Sequence, residues 1–305
     1  MLKMRIVAAV LMLAAAATMA GPLPKAQIAV TAKWVVHLDL DCLATTKTCS
    51  ALTNSPAAGP AFQNALARYR ALLGVDPLRE LRSVTLYGED VTGNRGAALV
   101  SGNLRVDVIT RTLTAYPKHH TTPWGAWTVH HWRDAASGKE MCACLYSNHL
   151  LVIGSDESAV DGALNVLNGV KQNLAKGKGI LTFPLARDGV FFTLVSRGYA
   201  GSGQEPLKAL ILRNTESVTM QIGEKAGVVD ASLVLNAVSP EAALQIEQIV
   251  NGLIVTANLT NDDSGLAELA ALCTVNREDS TLRIRLNCPA TQAAAQLARA
   301  FMTSR

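Results

Sequence analysis

Trp34-Val35-Val36-His37-Leu38-Asp39-Leu40-Asp41, followed by Ser83-Val84-Thr85-Leu86-Tyr87-Gly88, decides the reading of this chain, because the pair recurs. Val190-Phe191-Phe192-Thr193-Leu194-Val195-Ser196-Arg197 and Ser217-Val218-Thr219-Met220-Gln221-Ile222-Gly223 repeat the order strand, helix, Ser-Val-Thr strand. After each Ser-Val-Thr strand come a small Gly/Ala turn, a second apolar strand near Ala97–Val100 or Val228–Leu235, and a helix. In the opening strand Trp34, Val36, Leu38 and Leu40 face one way, and Val35, His37, Asp39 and Asp41 the other. A strand with one apolar face needs cover, which a helix supplies. Helices alternating with antiparallel hairpins indicate an α+β class: two copies of an antiparallel-sheet-plus-helices unit, arranged as a pseudo-symmetric pair.

Outward from this repeat, Phe62, Leu66, Tyr69 and Leu73 follow helical spacing and Gly74 ends the run. Val106, Ile109, Leu113 and Tyr116 form the next stripe, stopped by Pro117. A meander near Trp127–Trp132, Met141–Tyr146 and Leu150–Ile153 leads to a helix carrying Val160, Leu164 and Leu167. In the second copy a short helix is expected over 205–213. Ser239-Pro240-Glu241 opens a longer one, with Leu244, Ile249 and Leu253 as its buried stripe. A hairpin of Thr274–Asn276 with Leu282–Leu286 precedes a final helix after Pro289. Lys171, Lys176, Lys178, Gly177 and Gly179 mark a linker. The expected organisation is a signal peptide over 1–20, a first repeat over 21–170, a linker over 171–188 and a second repeat over 189–305.

Lys3 and Arg5 precede an apolar run from Ile6 to about Ala17, and Ala17-Thr18-Met19-Ala20 offers small residues for cleavage. The run is shorter than the roughly 20 residues a membrane-spanning helix needs. The expected location is therefore the periplasm or the cell exterior, with no transmembrane anchor after cleavage. Loss of Lys3 and Arg5 lowers the net charge from +4 to +2. With no basic block, the balance excludes a nucleic-acid partner. An envelope protein or glycan is the kind of partner expected.

The stretches Trp34–Asp41, Leu73-Gly74-Val75-Asp76-Pro77, Ser83–Gly88, Thr128-Val129-His130-His131-Trp132 and Val152-Ile153-Gly154-Ser155-Asp156-Glu157 resemble a group of exported bacterial proteins with no assigned activity. The resemblance covers most of the first copy and implies an exported, repeated α+β protein. It implies no catalytic residue.

Four groups of residues carry chemistry. Trp124, Trp127 and Trp132 with Tyr146 suit stacking on a sugar or anchoring a partner. His130, His131, Cys142, Cys144 and His149 are ligand types for Zn, Cu or Ni, although neighbouring strand residues point to opposite faces. His119 and His120 read as a loop. Asp39 and Asp41, on one strand face, suit a shared cation or an acid–base pair, and their second-copy equivalents are Val195 and Arg197. Cys42 and Cys49 bracket a short polar loop and are the first choice for a disulfide among the six cysteines. No nucleotide-binding or serine-nucleophile motif is present. Three functions remain: a non-enzymatic envelope binding or structural module, a transition-metal-binding protein, and a hydrolase at Asp39/Asp41.

Overall fold

The computed structural model describes residues 23–56, 59–90, 95–134, 138–177, 179–180, 188–198, 211–259 and 266–303. The expected signal peptide lies outside the described residues, as do most of the expected 205–213 helix and part of the linker. The strands are β1 Trp34–Asp39, β2 Leu81–Gly88, β3 Ala97–Gly102, β4 His120–Trp124, β5 Trp127–Arg133, β6 Glu140–Ser147, β7 Leu150–Gly154, β8 Val190–Arg197, β9 Thr215–Lys225, β10 Val228–Ala237, β11 Cys273–Glu278 and β12 Thr281–Pro289. The helices, in chain order, are α1 Leu40–Ala44, α2 Lys47–Thr53, α3 Gly59–Leu73, α4 Val106–Thr114, α5 Glu157–Leu167, α6 Pro240–Leu259, α7 Leu266–Ala270 and α8 Ala290–Thr303.

All twelve strands join one antiparallel sheet, in the order β11-β12-β10-β9-β8-β1-β2-β3-β7-β6-β5-β4. The sheet is continuous because β1 pairs with β8, matching Trp34 to Ser196, Val36 to Leu194 and Leu38 to Phe192. The expected separate sheet for each half is corrected by that pairing. β1 is bonded on both sides, and five of its six residues are buried.

Alternation assigns each side chain to a face. Val36, Leu38, Val84, Val100, Ala143 and Leu151 point to the front. There they meet Leu43 of α1, Leu52 of α2, Phe62 and Leu66 of α3, and Ile109 and Leu113 of α4. Val35, Tyr87, Leu99, Val129, Cys144 and Val152 point to the back and meet Val160, Ala163 and Leu164 of α5. The first half is therefore covered on both faces. Burying each large aliphatic side chain contributes about 1.5–3 kcal/mol. In the second half, Leu235 and Leu282 pack against Ala242, Ala243 and Ile246 of α6. Leu244 and Leu253, expected in the buried stripe, are 42% and 50% exposed. The helix presents a strip of alanines instead, because small side chains let it lie close to the sheet.

The linker is not a free tether. The amide of Val30 donates to the carbonyl of Gln172, that of Leu174 donates to Ile28, and Leu174 and Ile180 are buried. Contacts besides β1–β8 also fasten the halves together. Ala294 and Ala298 of α8 enter the core beside Cys49, Phe62 and Leu66. The Glu224 carboxylate, on β9, accepts from the amides of Lys47 and Thr48 at 2.8 and 2.9 Å, which caps the start of α2. Glu224→Ala removes this cap and is expected to lower the unfolding free energy by about 1–2 kcal/mol. The check is a urea titration in which the midpoint falls and the slope stays constant.

Candidate functional site

The strand β1 ends two residues earlier than its alternation suggests, at Asp39. Asp39 is the N-cap of α1: its side chain accepts from the amide of Cys42 at 2.8 Å. Asp41 lies inside α1, so the two carboxylates do not share a strand face, which corrects the expected pair. A cap needs a short acceptor at a bend, and Asp satisfies that need better than continued strand would. Asp41 is buried, and burial raises its carboxyl above the ordinary value, partly offset by the Arg82 guanidinium.

All six cysteines are free thiols, so the expected Cys42–Cys49 bridge is not formed. Cys42 sits in α1 and Cys49 in α2, in helices that start on their own caps, Asp39 and Thr46. Burial pushes both thiols up to about 11.

The aromatic group divides by strand parity. Trp132 points to the front, is 8% exposed, and stacks on Tyr116 with centroids 5.6 Å apart. Trp127 points to the back, stacks on Tyr146 at 4.9 Å and donates its indole N–H to the Tyr146 carbonyl at 2.9 Å. Trp124 packs beside it at 5.9 Å. Trp124, Trp127 and Tyr146 are half-buried against the back core, so they spend their faces on one another rather than on solvent.

The histidines divide the same way, and a strand read as a loop brings them together. β4 contains Pro123, which fits an edge strand because no further neighbour needs its missing N–H. A two-residue turn, with Gly125 at φ 55°, folds β4 onto β5 and pairs His120 with His131 and Thr121 with His130. On the front, His119 Nε2 lies 3.1 Å from His130 Nδ1. Burial, then the neighbouring His119 and His131, lowers the His130 pKa from 6.5.

On the back, His120 and His131 stack at 4.6 Å with their rings 9° from parallel. β5 pairs with β6 so that His131 faces Cys142 and Arg133 faces Glu140. His131 Nδ1 is 3.2 Å from Cys142 Sγ, and its Nε2 is 2.8 Å from Thr122 Oγ1. Burial pushes the Cys142 thiol up to about 12, and the carboxylates of Glu140, Glu157, Asp156 and Asp161 reinforce this. The thiol therefore keeps its proton, and His131 is held between Cys142 at Nδ1 and Thr122 at Nε2. One ligand atom each from His120, His131 and Glu140 all lie within 4.8 Å of one another. His120 and Glu140 are exposed and open onto a cleft of about 470 Å³ that Lys118 and Arg133 also line.

The expected metal group is thus only partly assembled. His131 and Cys142 meet. His130 is on the opposite face. Cys144 is fully buried among Val129 and Val152, where it packs as an apolar side chain. His149 sits in the β6–β7 turn, bonded to the Gly102 carbonyl at 3.1 Å. Cys142 and Ser147 are five residues apart along β6, about 17 Å at the rise of an antiparallel strand, so His149 is remote from His131. His120 and Glu140 complete the cluster, and sequence reasoning missed Glu140. The available signal was the pairing of His-His with His-His across Trp-Gly-Ala-Trp, which predicts a hairpin once the Pro-bearing run is accepted as an edge strand.

No family model and no curated protein matches this chain. Among solved structures it is similar to crystal forms I and III of TP0453. Form I is 9% identical with a TM-score of 0.47, over 92% of this chain and 98% of that one. Form III is 9% identical with a TM-score of 0.48, over 91% and 98%. The overlap is too loose to bring any residue or activity across.

The raised thiol has a consequence for pH. Above pH 9.0 the unfolded chain ionises Cys142, whereas the native chain holds its proton until about 12. Stability is thus unaffected by this group below pH 9 and lost as pH rises through that window. Cys142→Ala is expected to make the alkaline decline of the melting temperature shallower, which a melting series across that range would measure.

Proposed function

We propose that this chain is an exported, non-enzymatic binding protein built from two copies of one α+β unit, and that its ligand is a divalent transition-metal ion held by His120, His131 and Glu140. The convergence of those three donors within 4.8 Å is the observation that carries the reading. Two imidazoles and a carboxylate form a donor set suited to Zn, Ni or Cu. Three protein donors leave a coordination position open, and the exposed rim lets the ion exchange. Capture or buffering of an ion fits such a site better than structural support, which uses closed sites.

His131 can coordinate through Nε2 by giving up Thr122, with its Nδ1–H then directed at Cys142. That arrangement fixes the ring as an outer partner does in metal sites. Lys118 and Arg133 on the cleft wall disfavour a bare cation and favour one carrying an anion at its open position.

The strand order supports the two copies. From the central β1–β8 pair, β1-β2-β3-β7-β6 and β8-β9-β10-β12-β11 run outward in the same sequence. β4 and β5 have no counterpart, and the donors ride on them and on the neighbouring β6. The N-terminal apolar run and the resemblance to exported bacterial proteins support export. The engagement of Asp39 as a helix cap, and of the aromatics with one another, favours the ion over a hydrolytic site or a glycan platform.

Protein purified without an affinity tag is expected to bind one Zn or Ni ion per chain in a calorimetric titration. Affinity should fall as pH drops, because binding needs unprotonated imidazoles. Loss of His120 or His131 to Ala should weaken binding by at least about a hundredfold, and Glu140→Gln by about ten- to a hundredfold, on the scale seen when metal-site groups are removed. His149→Ala should leave it unchanged. Less than about a tenth of an equivalent of metal bound at saturation would rule the reading out, because a competent site fills at micromolar ion.

A further inference from the structure

We infer, resting on the metal-site reading above, that the ion is taken up already chelated: the ligand is a divalent metal carried by a small anion with two or three carboxylates. Among the described residues that line the cleft, Glu140 is the acidic side chain and Lys118 and Arg133 are the cations. The lining is therefore positive before an ion arrives, and a divalent ion adds two further charges. Like charges gathered in one cleft need an anion, which several carboxylates supply. The cleft volume of about 470 Å³ lies in the range that holds small organic ligands.

The backbone at Lys118 points the same way. Pro117 and Lys118 are the middle residues of a turn closed by the His119 amide, which donates to the Tyr116 carbonyl at 3.3 Å. Lys118 has φ 58°, the left-handed region. A turn with proline second and a positive φ third calls for glycine or asparagine at the third place. The other described non-glycine residues with positive φ, Ala226 and Asp279, sit in two-residue hairpin turns, which require that conformation. Lys118 instead keeps a long charged side chain at a glycine position. Backbone strain of this kind clusters where a side chain has work to do.

The two cations are held side by side. The Arg133 amide donates to the Pro117 carbonyl at 3.2 Å, which pins the turn to the end of β5. The Arg133 Nε–H donates to the Gly138 carbonyl at 2.8 Å, leaving the terminal nitrogens as a fork for a carboxylate. Neither Lys118 nor Arg133 makes an ion pair among the described residues. Arg133 then takes one carboxylate, Lys118 meets another as a point charge, and an oxygen of the same anion fills the coordination position left by His120, His131 and Glu140.

The test is equilibrium dialysis of the full, untagged chain with radiolabelled citrate, with and without equimolar nickel. Phosphate is the control anion, and nickel is followed in the same samples. One citrate per chain is expected to be retained with nickel present and none without it. His120→Ala should weaken retention of both by at least about a hundredfold. Lys118→Gly and Arg133→Gln should each weaken citrate retention about tenfold or more, the value of a charge-assisted bond. Both should bind nickel alone about two- to fivefold more tightly, because each removes a repelling charge. Lys118→Gly should also raise the melting temperature of the free protein by roughly 1–3 °C, since glycine relieves the turn. The proposal is overturned if citrate strips nickel from the protein, if phosphate is retained as tightly as citrate, or if both cation variants retain citrate like the parent. Those outcomes leave nickel binding intact, so the metal site stands. If nickel is not bound with or without citrate, the metal-site reading fails and the chelate falls with it.

Discussion

The antiparallel ladder between β1 and β8 is the constraint on which the rest of the structure depends. Without it, two sheets would each present an inner edge of unpaired amides and carbonyls, open to pairing with any other strand. With it, the first strand of each half becomes central, and the sheet runs unbroken to β4 and β11. β1 is then bonded on both sides and enclosed on both faces, which is why His37 and Thr85 must answer each other across β1–β2, at 2.9 Å, rather than face water. The cap of Glu224 on α2 and the docking of α8 both require the halves to be held in this register.

The two ends of the sheet are not equivalent. The β11 end is short of chemistry, and α6 lies on its front face. The β4 end carries an additional hairpin, and hairpins at an edge can vary without disturbing the centre. Donors accumulate there: His120, His130, His131, Glu140 and Cys142 sit within three strands, and His119 directly precedes β4. Parity then sorts them into a front pair and a back cluster. The back cluster includes a carboxylate and opens onto a cleft. The thiol of Cys142 serves as a protonated partner to His131 in a buried setting, where a thiolate would be unfavourable.

Local pattern made much of the fold legible. Alternation in Trp34–Asp39 and helical spacing through Phe62, Leu66 and Leu73 are short-range signals, and the corresponding elements form where the spacing places them. The readings that failed were those in which two local rules competed. Asp39 and Asp41 alternate as strand residues, but Asp39 is also a helix cap, and the cap prevailed. Leu244 and Leu253 fit a helical stripe, but the close approach of α6 to the sheet selected Ala242, Ala243 and Ile246 instead. Pro123 disguised β4, since proline is excluded from all but edge strands and a sequence does not mark which strand is at the edge.

The sequence by itself determined the α+β class, the positions of most strands and of the longer helices, and the opposite facing of His130 and His131, because these follow from periods of two and 3.6 residues within one segment. Only the tertiary structure decided that there is one sheet and not two, and that Glu140 stands beside His120 and His131. Each of those facts depends on which distant segments become neighbours and in what register. Register is set by the packing of the whole sheet against its helices, and a one-residue slip would turn every donor to the other face.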